Sequence, residues 1–149
     1  MADYVGERAI GYLLVASGSQ RKREESLRIQ RQAILRYARI HEAEIVAMYF
    51  DYDSAGDSRM RNGLITAMQR LREGHASLLI VESLHRLGRV DLEWLAAMIP
   101  EPASVACWGL ISIVERLDSR TPDGLGRLNT GKRKQKQSTE FLSWGKRHV

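Results

Sequence analysis

Three arginines, Arg61, Arg86 and Arg89, occupy positions where polar side chains can gather around an anion. The first opens a predicted helix, and the other two follow the apolar run Ala76–Val81, which predicts a strand. Arginines beside the first turn of a helix or in the loop after a strand can stabilise the charge on phosphate oxygens. They can equally form ion pairs with acidic side chains of the fold, and the sequence does not separate these two roles.

Phosphoryl transfer through a serine ester also requires a nucleophile. The loop after the apolar run Gly11–Val15 is the natural place for one, because the end of a strand directs loop side chains towards a substrate. Ala16 begins this loop, and its methyl group cannot attack phosphorus. Ser17 points to the opposite face from its neighbour and needs a rearranged loop to reach the same phosphate, whereas Ser19 lies in a looser part of the loop.

The residues around this loop resemble the opening motif of the resolvase/invertase (serine recombinase) catalytic domain, which reads Tyr-x-Arg-Val-Ser-Thr-x-x-Gln and then Ser-Leu-x-x-Gln. The matching residues are Tyr12, Val15, Gln20, Ser26, Leu27 and Gln30. In that family the serine after the valine attacks a DNA phosphodiester, and the arginine two residues before that serine helps to hold the phosphate. These two positions are Ala16 and Leu14 in this chain.

Three further stretches resemble motifs of the same family, in the same order. Ser83–Arg89 is similar to Leu-Asp-Arg-Leu-Gly-Arg, whose two arginines bind the scissile phosphate; both arginines match, and His85 stands at the aspartate position. The stretch after the second predicted strand resembles Asp-x-x-x-Ser-Gly and Asp-Arg-x-Gly-Leu, and its matching residues are Asp51, Gly56, Arg61, Gly63 and Leu64. Thr121–Gly124 is similar to the Thr-Pro-x-Gly that precedes the family's long helix.

The resemblance implies a catalytic-type pocket that has lost its nucleophile at Ala16 and is also substituted at Leu14 and His85. The retained pocket residues that it implies are Tyr12, Gln20, Gln30, Asp51, Arg61, Arg86 and Arg89. The DNA-binding residues that it implies within this pocket are Arg61, Arg86 and Arg89. No metal or cofactor is expected.

The predicted function is that of a serine-recombinase family protein, associated with site-specific DNA recombination, that does not itself exchange strands. Its expected partners are DNA, mostly through backbone phosphates, and either a second copy of this chain or an intact recombinase. One alternative is an active or partner-complemented subunit that cleaves DNA through Ser17 or Ser19. Another alternative is a decayed mobile-element fragment.

The apolar pattern predicts the elements that position these residues. The predicted strands are residues 9–16, Glu44–Phe50, Ala76–Val81 and Ser104–Val114. The predicted helices carry the apolar residues of 27–38, 64–71 and 92–99. Alternating strands and helices indicate an α/β fold, a resolvase-like three-layer α/β/α domain with a mainly parallel central sheet.

The first helix is expected to begin at Ser26, whose hydroxyl can cap it, after a basic loop at Arg21–Arg23. This helix places Gln30 on its buried side. The glutamine is then either a core amide satisfied by the backbone or, as the resemblance implies, a pocket residue.

The charge divides the chain into a nearly neutral body, residues 1–126, and a basic tail, residues 127–149. The tail holds seven basic residues and one acidic residue, although the net charge of the whole chain is only +5. Its expected DNA contacts are Lys132, Arg133, Lys134 and Lys136. The apolar pattern of a long interface helix is missing there, so we expect a flexible segment that is either simply solvated or in contact with nucleic acid.

The composition excludes several classes of protein. The single cysteine, Cys107, excludes an internal disulfide and a cysteine-based zinc site, and its apolar neighbours predict a core thiol. The acidic loop Asp51–Ser58 lacks the glutamate spacing of a calcium loop. No apolar stretch reaches the roughly 18 residues of a membrane span, so a cytoplasmic protein is expected.

Overall fold

A computed structural model of the protein describes residues 4–15, 18–53, 61–87, 108–124 and 126–127. The elements in these ranges are β1 (Arg8–Val15), α1 (Gln20–His41), β2 (Glu44–Tyr52), α2 (Asn62–Arg72), β3 (Leu78–Val81), a 3₁₀ turn (Leu84–Leu87), β4 (Gly109–Ser112) and β5 (Leu117–Asp118). None of the helices in this part of the chain is long and apolar enough to cross a membrane. The helix predicted around residues 92–99, and Cys107, lie outside the described ranges.

The strands form one sheet in the order β2-β1-β3-β4-β5. β1 pairs in parallel with both β2 and β3, and β3 pairs in parallel with β4. Among the strands in the described ranges, only the short β5 runs antiparallel, in a tight hairpin with β4 that the sequence pattern did not predict. The expected mainly parallel α/β sheet is therefore confirmed.

Helices α1 and α2 cover opposite faces of the sheet, and β1 shows this most directly. Its residues from Ala9 to Val15 are all buried, but they alternate between two cores. Ile10 belongs to the core that contains the apolar side of α2, whereas Leu13 belongs to the core that contains Ile34 of α1. A strand covered on both faces needs apolar side chains on both, which explains the continuous apolar run.

The first helix begins earlier than predicted. Ser19 is its N-cap, because the Ser19 hydroxyl accepts a hydrogen bond from the backbone N–H of Lys22 at 3.2 Å. The prediction of a cap at Ser26 is therefore wrong, as is the basic loop at Arg21–Arg23, which forms the first turn of α1. The reason is that residues 20–25 are Gln, Arg, Lys and Glu, all good helix formers, so the helix extends back to the next available capping serine.

The other boundaries differ from the predictions by a few residues. β2 continues to Tyr52, so Asp51 lies within the strand and not just after it. α2 ends near Gly74, and the φ of +82° at this glycine explains why a residue without a side chain is found there. Trp108 is buried in the core on the α2 side.

The amino edge of the sheet, where β1 and β3 begin, is held together by an ion pair. Arg120, just after β5, donates to both carboxylate oxygens of Glu7, at 2.5 and 3.0 Å. Hydrogen bonding from Arg120 keeps the pKa of Glu7 below its ordinary value, although burial opposes the shift. The contact ties the segment before β1 to the segment after β5.

The Thr121–Gly124 motif forms a turn directly after this ion pair, and this turn begins a helix, since residues 122–124 and 126–127 are helical. The hydroxyl of Thr121 donates to the backbone carbonyl of Asp118 at 2.8 Å and accepts from the backbone N–H of Gly124 at 2.9 Å. A Cβ on Gly124 would overlap the Asp118 carbonyl, so the turn requires glycine. The tail that follows this turn, from residue 128 onwards, lies outside the described ranges.

Candidate functional site

The candidate site lies at the carboxyl edge of the sheet. β1, β2 and β3 are parallel, so their final residues, Val15, Tyr52 and Val81, meet at the same edge. This edge carries the loops in which the sequence placed the pocket, as expected for a parallel α/β sheet. The structure describes eight of the residues predicted for the pocket: Tyr12, Leu14, Gln20, Gln30, Asp51, Arg61, His85 and Arg86. The predicted site residues Ala16, Ser17, Arg89, Lys132, Arg133, Lys134 and Lys136 lie outside the described ranges.

Gln30 joins the middle of α1 to the end of β1. Its side chain is fully buried, and its amide Nε2 donates to the backbone carbonyl of Leu14 at 2.9 Å while its Oε1 accepts from the Leu14 N–H at 3.0 Å. Nε2 also donates to the hydroxyl of Ser26 at 3.0 Å. The sequence left two roles open for Gln30, and these contacts are those of a core amide satisfied by the backbone. The backbone that it contacts, at Leu14, lies two residues before Ala16.

Asp51 joins β2 to both neighbouring elements. Its Oδ1 accepts from the backbone N–H of Gly63 at 2.8 Å, and its Oδ2 accepts from the Leu64 N–H at 2.9 Å and from the Tyr12 hydroxyl at 2.8 Å. The carboxylate therefore accepts hydrogen bonds from the N-terminal amides of α2. These amides bind a side chain of the fold and not an external anion. Tyr12 and Asp51, both of which the resemblance implies as pocket residues, are in direct contact.

The glycine of the Arg61-Asn62-Gly63-Leu64 motif has a steric explanation at this junction. A Cβ on Gly63 would lie 2.6 Å from the backbone carbonyl oxygen of Phe50 and 3.0 Å from the carboxylate of Asp51. The first turn of α2 can approach the end of β2 this closely only without a side chain at position 63. The motif glycine thus serves the capping of α2 by Asp51.

Arg61 immediately precedes α2, as predicted, and its side chain is almost wholly buried. One terminal nitrogen donates to the backbone carbonyl of Leu87 at 2.8 Å, and the other lies 3.5 Å from the carboxylate of Asp53. The backbone N–H of Asp53 in turn donates to the carbonyl of Val15 at 2.7 Å. Arg61 therefore links the ends of β1 and β2 to the loop that carries Arg86, through contacts within the fold.

Arg86 is the second arginine of the site, and its contacts are less complete. A terminal nitrogen lies 3.4 Å from the carboxylate of Glu82, four residues earlier. Its Nε is shielded from solvent and has no hydrogen-bond acceptor among the described residues. Neighbouring His85, which stands at the family's aspartate position, is exposed.

The 3₁₀ turn that carries Arg86 is held to the β4–β5 turn. The carboxylate of Glu115 accepts from the backbone N–H of Leu84 at 2.7 Å and also accepts a hydrogen bond from the Ser112 hydroxyl. The backbone N–H of Val114 donates to the carbonyl of Glu82 at 2.9 Å. The loop after β3 therefore has a defined backbone on the N-terminal side of Arg86.

Two other predicted positions have structural roles. Leu14, where the family has an arginine, is buried in the core on the α2 side. Gln20 is exposed at the start of α1 and donates to Glu24 at 3.2 Å, so no contact joins it to the other pocket residues in the described part of the chain. Ser19, one alternative nucleophile, uses its hydroxyl oxygen as the N-cap acceptor of α1.

The sequence reasoning missed Glu82, Glu115 and Asp53. Glu82 and Arg86 are four residues apart with opposite charges, a spacing that signals a pair on a helical turn. The contacts of Glu115 and Asp53 join residues distant in sequence, so no local pattern announced them. No group of acidic, histidine or cysteine side chains in the described ranges could hold a metal ion.

Comparison with known families supports the resemblance seen in the sequence. The profile of the family described as "Resolvase, N terminal domain" matches residues 9–128. No curated protein sequence matches the chain.

Solved structures of low sequence identity share the fold. The N-terminal catalytic domain of TP901-1 integrase superimposes with a TM-score of 0.72 at 17% identity, covering 91% of this chain and 99% of that domain. A resolvase family site-specific recombinase from Streptococcus pneumoniae gives a TM-score of 0.68 at 18% identity, with coverage of 93% and 94%. The C-terminal catalytic domain of ISC1926 TnpA, an IS607-like serine recombinase, gives 0.58 at 19% identity, with coverage of 83% and 76%.

Proposed function

Because this chain belongs to the resolvase N-terminal domain family, we propose that it binds DNA through backbone phosphates without cutting the strands. In this role it occupies a DNA site or associates with a second copy of itself or an intact recombinase. The phosphate-binding part of the site is retained, and the nucleophile is not.

The proposal rests on the incomplete hydrogen bonding of the Arg86 guanidinium. Its guanidinium lies at the carboxyl edge of the sheet with a buried Nε–H that has no acceptor among the described residues. A buried donor without an acceptor costs free energy, about 1–3 kcal/mol for a neutral group and more for a charged one. A DNA phosphate supplies two oxygens that can accept from Nε and a terminal nitrogen together, which would remove this cost.

The absence of cutting rests on the identities of the residues around the end of β1. Ala16 stands at the position where the family has its serine, and it offers no nucleophile. Leu14 packs into the core where the family has an arginine, and Ser19 caps α1. These three observations support a site that holds a phosphate but lacks the groups for forming a serine ester.

The basic tail supplies the remaining part of the proposed DNA contact. Its residues Lys132, Arg133, Lys134 and Lys136 give a dense positive charge beside a body that is nearly neutral. Contacts of this kind release counterions and give sequence-independent affinity that falls with salt. Arg89, two residues beyond the 3₁₀ turn, is proposed to join Arg86 at the phosphate.

Binding of a labelled random-sequence DNA duplex, measured over a series of salt concentrations with the full chain, tests the proposal. We expect Arg86→Gln to lower the steepness of the log–log salt dependence by about 1, because one phosphate contact is lost. The matched control is Arg72→Gln, which removes an exposed arginine at the far end of α2. Replacing Lys132, Arg133, Lys134 and Lys136 with glutamine should lower the steepness further.

A second measurement addresses cutting. The wild-type chain is incubated with supercoiled and linear DNA, denatured in detergent and examined for covalent protein–DNA adducts. We expect none. Adducts that disappear in Ser17→Ala or Ser19→Ala would contradict the proposal and favour the active alternative. In the binding experiment, a chain that binds no duplex at moderate salt would contradict DNA binding and favour a protein partner.

A further inference from the structure

We propose that Glu82 acts as an internal substitute for a DNA phosphate and covers Arg86 until a phosphate displaces it. The inference rests on the proposed function, because it assumes that Arg86 is a phosphate-binding residue. It adds a residue that belongs to none of the motifs described above and assigns it a regulatory role in the affinity of the site for DNA.

Glu82 and Arg86 form a long ion pair. The Glu82 carboxylate lies 3.4 Å from one terminal nitrogen of Arg86, which is longer than the usual 2.7–2.9 Å of a charge-assisted hydrogen bond. Both side chains are mostly buried, with exposed fractions of 27% for Arg86 and 17% for Glu82. The pair is therefore close enough to neutralise the guanidinium but does not satisfy it.

Nε of Arg86 is shielded from solvent, so an external oxygen cannot reach it in this arrangement. A phosphate can bind through Nε and a terminal nitrogen only after the guanidinium moves relative to Glu82. In the observed arrangement the carboxylate of Glu82 lies against a terminal nitrogen of Arg86, where it stands in for one phosphate oxygen.

Hydrogen bonds hold the backbone of Glu82 and Arg86 in place. The carbonyl of Glu82 accepts from the N–H of Val114 at 2.9 Å, and the N–H of Arg86 donates to the carbonyl of Ser83 at 3.1 Å. With both backbones fixed, uncovering requires only a change of side-chain rotamers. Such a change is fast and does not disturb the sheet.

Removing the charge of Glu82 should therefore raise the affinity for DNA. Glu82→Gln keeps the shape of the side chain, and we expect it to tighten duplex binding by about two- to fivefold at moderate salt, within the range expected for loss of one ion pair of this kind. The matched control is Glu73→Gln, which makes the same change of net charge at an exposed site next to Gly74. In the double variant Glu82→Gln/Arg86→Gln the gain should vanish.

A gain in Glu82→Gln no larger than that in Glu73→Gln would overturn the inference. So would a gain that persists without Arg86, since it would then come from general electrostatics. Weaker binding of Glu82→Gln would also overturn it, because it would show that Glu82 positions Arg86 for DNA. Glu82→Ala serves as the second variant if the glutamine variant does not fold.

A measurement without DNA separates this inference from the proposed function. The Nε–H resonance of Arg86 in the ¹⁵N-labelled full chain should exchange slowly with water in the wild type, and at least several-fold faster in Glu82→Gln. Unchanged exchange would overturn the covering role, whatever the DNA result. If exchange accelerates but Arg86→Gln binds DNA like the wild type, the cover exists and the proposed phosphate site at Arg86 is wrong.

Discussion

The side-chain amide of Gln30 brackets the backbone of Leu14, accepting from its N–H at 3.0 Å and donating to its carbonyl at 2.9 Å. A glutamine on a helix thus completes the hydrogen bonds of a strand at the point where the strand meets the candidate site. β1 ends one residue later, at Val15, so the contact fixes the last part of the strand.

Truncating Gln30 should destabilise the fold. Gln30→Ala leaves the N–H and the carbonyl of Leu14 buried without partners, and we expect the free energy of unfolding to fall by about 2–4 kcal/mol. The measurement is urea denaturation followed by circular dichroism. Gln32→Ala is the matched control, because Gln32 is exposed on the same helix, and it should change stability by less than about 0.5 kcal/mol. Equal effects of the two variants would contradict a bracing role for Gln30.

Removing the charge of Asp51 should weaken the junction between β2 and α2. In Asp51→Asn one oxygen is replaced by an NH₂ group, which cannot accept from the N–H of Gly63 or Leu64. We expect a loss of about 1–3 kcal/mol in the free energy of unfolding, as for a lost helix cap combined with an unpaired donor.

The control for this prediction is Asp123→Asn, the same change at a side chain that is 85% exposed. Hydrogen exchange adds a local test, since the first-turn amides of α2 should exchange faster in Asp51→Asn than in the wild type. Unaltered protection of Gly63 and Leu64 would show that Asp51 does not cap α2.

The ion pair between Glu7 and Arg120 should make stability depend on acid pH. The pKa of Glu7 is lower in the folded state than the ordinary value of 4.5, so below this value the unfolded state binds more protons. The contribution of the pair is therefore complete above about pH 4.5 and is lost as the pH falls through the folded-state pKa. Thermal unfolding between pH 3 and pH 7 measures this dependence.

Glu7→Gln should flatten the acid part of this pH profile and lower stability at pH 7 by about 1–2 kcal/mol. Glu24→Gln changes an exposed glutamate on α1 and should leave the profile unaltered. A profile of Glu7→Gln that runs parallel to the wild type would assign the acid sensitivity to other carboxylates.

The site could be predicted from the sequence as far as local patterns reach. The run Gly11–Val15 predicted a buried strand, and the later apolar runs predicted neighbouring parallel strands, because alternation of strands and helices leaves few topologies. The family resemblance implied that Tyr12 and Asp51 are pocket residues, and a hydrogen bond of 2.8 Å joins them in the structure. The boundary of α1 was wrong because two serines, Ser19 and Ser26, were both chemically suited to cap it.

The sequence by itself determined the family, the parallel α/β sheet and the residue types at the carboxyl edge, since these follow from spacing, apolar pattern and side-chain chemistry. Only the tertiary structure decided what each polar group binds. Arg61, for example, donates to the carbonyl of Leu87 and pairs with the carboxylate of Asp53. Arg86 has a buried N–H without an acceptor among the described residues. The physical reason is that hydrogen bonds form across distances of about 3 Å between groups far apart in the chain, and a linear pattern carries no information on such distances.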